Sequence, residues 1–279
     1  MIKIGDFNNL KVVGKGNIGY FLNRDTKKLD KNILLPKSRD ISTELNIGDE
    51  VEAFIYRDSE DRVIATLKKP LAKVGELAYL KVVSTTDVGT FIDFGLAKDI
   101  LVPFKEKLYP LEDNKSYLFY IYLDKSDRIA ATTDIDVHLQ IEGDYKIGDS
   151  VKGSVYGFQS NKSVMVAVDN MYQGVILSNE YFTEINYGDV LDLSVIKIYE
   201  NGRLGLTPRK STKVEVTTLQ EAILEYLKSH EGFMNFNDKS SPEEISKEFN
   251  VSKKHFKNAL GGLMKKNLIT QDNTGTKLK

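Results

Sequence analysis

One pattern of residues runs through this chain three times, and it constrains the fold more than any other feature. Each copy opens on an apolar residue, a glycine and an acid: Ile4-Gly5-Asp6, Val74-Gly75-Glu76 and Ile147-Gly148-Asp149. An alternating apolar run follows, clearest from Leu77 to Val83 and from Val151 to Tyr156, with the period of two that marks a half-buried strand. Next comes Gly19-Tyr20-Phe21, Gly89-Thr90-Phe91 or its stand-in Ser163-Val164-Met165, and then a short apolar segment. That segment is Ile33 to Pro36, Ile100 to Pro103 or Gly174 to Leu177. A β-rich strand and a hairpin close each copy, with turns at 58–62, 124–128 and 200–203 built from Ser, Asp, Asn, Glu and Gly.

About five short strands per roughly 70 residues, without a long helix, predicts small closed barrels rather than a sandwich. Closure removes the exposed edges that three successive sheets would otherwise carry. Generic all-β units of another shape would satisfy the same periodicity. The expected boundaries are 1–70, 71–137 and 145–210 for the three barrels.

After residue 213 the period changes. Leu219, Ile223, Tyr226 and Leu227 form a helical apolar stripe. Ser241-Pro242-Glu243-Glu244 carries the cap, first-turn proline and reciprocal glutamate of a helix start, and Ser252 caps another helix. Phe256, Leu260, Leu263 and Met264 are expected to line its buried face. Gly261 and Gly262 weaken that helix, which predicts close packing against a neighbour. Two short β segments around Asp272 to Gly275 complete a winged helix-turn-helix over 214–279, with a two-stranded wing. The fold class expected is therefore mainly β: three tandem five-stranded OB-fold barrels followed by a small α+β winged-helix domain.

These residues resemble a known family. Gly89-Thr90-Phe91-Ile92-Asp93-Phe94-Gly95, Asp99-Ile100-Leu101-Val102-Pro103 and the turn from Asp124 to Arg128 resemble the repeat of the ribosomal S-one RNA-binding domain, an OB-fold barrel. The whole chain resembles the bacterial conserved virulence factor B family: three such domains and a winged helix. In the S-one family the ligand face carries two aromatics around the glycine of strand two, a further position in the next strand, and an Asp and an Arg from the last hairpin. The resemblance thus implies RNA-binding roles for Phe91, Asp124 and Arg128, while Val88 and Pro103 depart from the pattern. It implies the same for Phe21, Asp58 and Arg62 in the first repeat, where Ile18 and Pro36 depart. The third repeat keeps Arg203 alone, with Met165 in the aromatic place, and reads as a spacer or protein-contact unit.

The chemistry of these residues agrees with that implication. Single-stranded nucleic acid is held by flat aromatic faces for bases and cations for phosphates. If Ile92 and Phe94 face a barrel core, strand alternation sends Phe91 and Asp93 to the other side. Each hairpin arginine could bridge a phosphate or pair with the aspartate of its own turn. Lys27, Lys28 and Lys31 lie in the longer loop of the first repeat and would extend a phosphate path or serve solubility. Lys253, Lys254 and Lys257 open the last helix, the groove-reading element of winged helices; an ordinary solvated lysine face gives the same pattern. Lys265 and Lys266 suit the C-terminal end of that helix dipole.

Charge narrows the partner. The net charge is −1, with +2 on residues 1–70, −3 on 71–136, −2 on 137–212 and +2 on 213–279, so any nucleic-acid contact must use local faces. The chain has no cysteine, which excludes disulfides and thiolate metal sites. No signal peptide or membrane-length apolar run is present, so a cytoplasmic protein with no membrane partner is expected. Three scattered histidines, a lone Asp134-x-Asp136 pair and the short glycine turn 14–17 make no catalytic or metal constellation. A non-catalytic protein without cofactor, binding single-stranded RNA across several weak sites in series, is the leading expectation. Structured RNA or duplex DNA is a further ligand for the winged helix. The alternatives are a DNA-binding regulator whose barrels oligomerise or dock protein, and a protein-interaction scaffold.

Overall fold

The structure is a computed structural model that describes residues 2–23, 32–37, 44–181, 183–209, 212–249 and 251–279. Lys27, Lys28 and Lys31 lie outside the described residues, as does the turn residue Asn250. The chain divides into two compact units, Met1–Pro208 and Arg209–Lys279.

The first unit holds three closed five-stranded barrels. The first uses β1 (Phe7–Lys15), β2 (Gly19–Asn23), β3 (Ile33–Pro36), β4 (Glu50–Arg57) and β5 (Val63–Thr66). The second uses β6 (Leu77–Thr85), β7 (Gly89–Ile92), β8 (Ile100–Pro103), β9 (Ser116–Leu123) and β10 (Ile129–Thr132). The third uses β11 (Ser150–Phe158), β12 (Val164–Val168), β13 (Tyr172–Ile176), β14 (Val190–Ile198) and β15 (Leu204–Thr207). In each, the opening strand pairs antiparallel with the second and fourth strands, and the third runs parallel beside the fifth.

The opening strand serves both halves of the barrel because it carries a bulge at the same place each time. The register slips at Val12/Gly14, Val82/Ser84 and Val155/Gly157. A bulge bends and twists a strand locally, which is what closing a small sheet demands. The glycine of the Gly-x-Phe pattern has a steric cause. Gly89 has φ +148°, and a Cβ there would stand 2.5 Å from the carbonyl oxygen of Val102 on β8.

Alternation then sorts the side chains. Leu10, Val12, Leu22, Leu35 and Ile55 fill the first barrel, and Val155, Val164, Val166, Leu193 and Leu206 fill the third. Fully burying each such side chain contributes roughly 1.5–3 kcal/mol. Phe54 breaks the simple pattern: Ala53 and Ile55 point into their own barrel, and Phe54 points out of it. It is nonetheless fully buried, because it joins the core of the second barrel beside Phe7 and Phe94, with ring centroids 5.4 Å and 6.2 Å away. The first two barrels therefore share one apolar junction. Phe94 lies just past β7 and seals this junction.

The second and third barrels meet through polar aromatics. Tyr109 stacks on Tyr187 with centroids 4.2 Å apart, and the Tyr79 hydroxyl donates to the Gly188 carbonyl at 2.6 Å.

The second unit is a winged helix: α1 (Thr212–Ser229), β16 (Phe233–Met234), α2 (Pro242–Phe249), α3 (Lys253–Lys265), β17 (Ile269–Gln271) and β18 (Thr276–Leu278). Leu219, Ile223 and Leu227 of α1 pack with Phe256, Leu260 and Leu263 of α3. The cap of α2 is reciprocal: Glu244 N–H donates to Ser241 Oγ and Ser241 N–H to Glu244 Oε2, both at 3.2 Å. Three expectations change here. Met264 is exposed, because the buried stripe runs Phe256, Ala259, Leu260, Leu263 and Met264 falls on its solvent edge. Of the two glycines only Gly262 has a close neighbour, the Gln220 amide of α1; Gly261 faces open space. The wing has three strands rather than two, since β18 also pairs with β16 through Met234 and Thr276.

Candidate nucleic-acid interface

On β7 the expected alternation holds. Ile92 is fully buried and Phe91 is half-buried on the outer face, opposite its register partner Leu101 on β8. Phe91 does not stand on an open surface. It lies in a cleft of about 440 Å³ whose walls include Val88, Leu101 and Pro103 from the second barrel and Tyr56 and Arg57 from the first. Asp124 and Arg128 border it, together with Lys98 and Asp99 from the segment before β8. Val88 and Pro103, the two departures from the S-one pattern, thus make aliphatic walls where that family has rings.

The hairpin aspartates build their turns. Asp124 accepts from the backbone N–H of Ser126 at 2.7 Å and of Arg128 at 3.0 Å, and Asp58 accepts likewise from Glu60 at 2.9 Å and Arg62 at 3.0 Å. Burial alone would push the Asp58 carboxyl up, but hydrogen bonds from Arg62 and the turn backbone hold it below the ordinary range. Asp124 follows the same logic, with Ser126 as its side-chain donor.

The arginines go three different ways. Arg62 folds back on its own hairpin, with Nε 2.9 Å from Asp58 and Nη1 2.8 Å from Glu60. The Arg128 guanidinium turns away from Asp124 and grips both carboxylate oxygens of Asp61 in the first barrel's hairpin. Arg57 returns the gesture at 3.4 Å to Asp127, and also donates to the Asp61 carbonyl at 2.7 Å. The two hairpins are thus strapped together at the mouth of the cleft. The Arg128 hydrogen bond is the main reason Asp61 sits below the usual carboxylate range.

Phe21 occupies the equivalent place on β2. It is half-buried, its register partner on β1 is Gly14, and a Cβ on Gly16 would stand 3.2 Å from its ring edge. The lack of side chains at those glycines leaves room for the ring to lie against the backbone. Ile18 is 64% exposed near it.

The third barrel puts Met165 at the same register, against Gly157, but the face is covered. The connector after the second barrel lies on it. Ile135 and Leu139 pack with Tyr156, Ala167 and Met165, and His138 stacks on Tyr120 of β9 with centroids 3.4 Å apart. Burial holds His138 below its ordinary pKa, so it is neutral at pH 7. The Tyr156 hydroxyl donates to Asp136, and Gln140 bridges Tyr172 at the start of β13. Arg203 donates to Gln173 Oε1 at 2.8 Å and stands 4.0 Å from Asp136. Asp136 of the Asp-x-Asp pair is thereby an anchor for the connector.

On the winged helix the three lysines differ. Lys253 donates to the Lys239 carbonyl at 3.3 Å and Lys257 stands 3.8 Å from Asp238. Lys254 is exposed and has no ion pair among the described residues. Lys266 donates to Gln220 of α1 at 2.8 Å, a packing role beyond any helix-end charge.

Comparison with known proteins decides the family. Residues 4–68 and 74–134 match the family model described as S1 domain, and 221–278 match the CvfB-like winged helix domain. The chain is 32% identical over 278 residues to the protein named Uncharacterized protein YitL of Bacillus subtilis, covering 96% of this chain and 91% of that one. It is 25% identical to Conserved virulence factor B of Staphylococcus epidermidis strain RP62A, with 95% and 91% covered. The chain belongs to the conserved virulence factor B family. The chain is also similar to a solved Streptococcus pneumoniae structure described as a multidomain protein with nucleic acid binding domains. It has 27% identity, a TM-score of 0.53, and coverage of 99% of this chain and 98% of that one. The family models present are those of nucleic-acid-binding modules, and the third barrel lies outside both S1 matches.

Tyr56, Arg57 and Lys98 carried no sign of a site in the sequence, and Asp99 stood in the S-one-like stretch without a site role. Tyr56 and Arg57 end an ordinary β strand, and only the docking of one barrel on the next brings them over Phe91. Among the described residues no cluster of three or more His, Cys, Asp or Glu could hold a metal ion, and no helix is long and apolar enough to cross a membrane.

Proposed function

We propose that this protein is a non-catalytic, cytoplasmic RNA-binding protein. It holds single-stranded RNA across its tandem barrels with help from the winged helix and acts after transcription on gene expression. The observation that carries this reading is the half-buried Phe91 ring in a cleft edged by Arg57, Lys98 and Arg128. A ring for a base and cations for its phosphates is the minimum that single-strand binding needs. Phe21, with Asp58 and Arg62 shaping its hairpin, is a second and more open platform. Asp124 acts by holding the turn that presents Arg128. Arg203, tied to Gln173, is assigned to the connector instead of the ligand.

The test is binding of labelled single-stranded RNA to the full chain and to the Phe21→Ala/Phe91→Ala double variant. Each stacking platform is worth roughly 1–3 kcal/mol, so affinity is expected to fall at least tenfold. Unchanged affinity removes the reading. A second reading, duplex binding through α3, is favoured by the exposed Lys254, which has no ion pair among the described residues. Preference for duplex DNA over single-stranded RNA across a salt series, lost in Lys254→Ala, would establish it.

A further inference from the structure

We infer that the cleft between the first two barrels is a single-nucleotide pocket that prefers guanine, with Asp99 reading the base edge and Lys98 at the rim meeting the phosphate. The inference rests on the nucleic-acid reading above and narrows it to one nucleotide and one base.

Size sets the first limit. At about 440 Å³ the cleft is near the lower end of pockets for small molecules, which run from roughly 300 to 1,000 Å³. That is space for one nucleotide, and too little for a stacked run of bases. The walls suit a flat ring: Phe91 and Tyr56 supply aromatic faces from opposite barrels, and Val88, Leu101 and Pro103 supply aliphatic contact.

The polar groups are the second argument, because two of them, Asp99 and Lys98, have no hydrogen bond or ion pair among the described residues. Arg57 lines the wall without a free donor, since its guanidinium tips are engaged at the strap and its Nε is buried. Asp99 is half-buried, and its carboxylate has no hydrogen bond or ion pair among the described residues. Burial, then the neighbouring Asp93 charge, raise its pKa. Lys98, at the exposed rim, has no ion pair among the described residues either.

Base chemistry then selects. A carboxylate offers two acceptor oxygens and no donor. Guanine presents a ring N–H beside an exocyclic amino group, two parallel donors that match both oxygens. Adenine and cytosine offer an amino donor next to a ring acceptor, which the carboxylate repels. Uracil places its ring N–H between two carbonyls and is disfavoured on both sides. A good bidentate match discriminates by about tenfold or more against a mismatched base.

The experiment titrates the full chain with 5′-GMP, 5′-AMP, 5′-CMP and 5′-UMP by calorimetry, and with oligouridine RNA with and without one central guanosine. GMP is expected to bind about tenfold more tightly than UMP, and the single guanosine to strengthen oligomer binding by a similar factor. Asp99→Asn keeps shape and one acceptor while removing the second, so the preference should collapse to within about twofold. Phe91→Ala should weaken all nucleotides together. Equal affinity for the four nucleotides and for both oligomers, or a guanine preference that survives Asp99→Asn, overturns the pocket while leaving RNA binding intact. Failure of both oligomers to bind overturns the function and the pocket together.

Discussion

The second and third barrels set the same strand position to opposite uses. Phe91 and Met165 sit at equivalent registers beside the bulge of their opening strands, and Arg128 and Arg203 leave equivalent hairpins. Phe91 faces a cleft, whereas Met165 lies under the chain's own connector. The difference comes from what each barrel receives from the one before it. The first barrel docks on the second through Phe54 and leaves a gap beneath Tyr56 and Arg57. The segment between the second and third barrels is long enough to fold down, and its Ile135 and Leu139 pack with Tyr156, Ala167 and Met165 on the face that a base would use. An OB barrel thus offers a docking position, and its neighbours decide whether a ligand or the protein itself occupies it.

The largest test breaks the junction that makes the cleft. Phe54→Ala leaves a cavity among Phe7, Phe94 and the second barrel's core, and should cost about 3–5 kcal/mol in urea unfolding. If stability is unchanged, the two barrels are not energetically coupled. Loosening the cover on the third barrel comes next. Tyr156→Phe removes a part-buried hydroxyl donating to the Asp136 carboxylate, a bond worth about 1.5–3 kcal/mol. Hydrogen exchange at 135–140 should rise, and the cleft in the second barrel should keep its RNA affinity.

A smaller and sharper contrast is the matched pair Phe91→Ala and Met165→Ala. The first should lose roughly 1–3 kcal/mol of single-stranded RNA affinity with little change in melting temperature. The second should lower the melting temperature and leave affinity alone. Reversal of that pattern would mean the open and covered faces have been misassigned.

The smallest effect concerns pH. Asp61 titrates below its unfolded value, chiefly through the Arg128 hydrogen bond. A depressed carboxylate contributes stability that is fully present above the unfolded pKa, about 3.9, and fades as pH falls through the lower folded value. The strap should therefore leave unfolding stability flat from pH 5 to 8 and weaken only in stronger acid. A titration near neutrality that disappears in Asp61→Asn would contradict this assignment.

Much of this was legible in the residues. The triple repeat announced the barrels because a strand's period of two and a glycine forced by backbone contact are local matters. The capping box of α2 and the stripe of α1 were readable for the same reason. Phe91 could be placed on an outer face by alternation alone. Met264 misled because a helix end offers two neighbouring positions and only the covering sheet decides which is buried. Phe54 lies on an ordinary β strand of the first barrel and belongs to the core of its neighbour, which alternation within one barrel does not show.

The amino-acid order by itself determined three barrels, a winged helix and which ring and guanidinium each hairpin carries, because those follow from short-range sterics and periodicity. Which face stays open was left to tertiary structure. Arg128 chose Asp61 over Asp124, Arg203 chose Gln173, and Tyr56 and Asp99 came to share a cleft across dozens of residues of chain. Such pairings depend on how rigid barrels dock, a matter of shape and burial between surfaces distant in sequence, which no local pattern encodes.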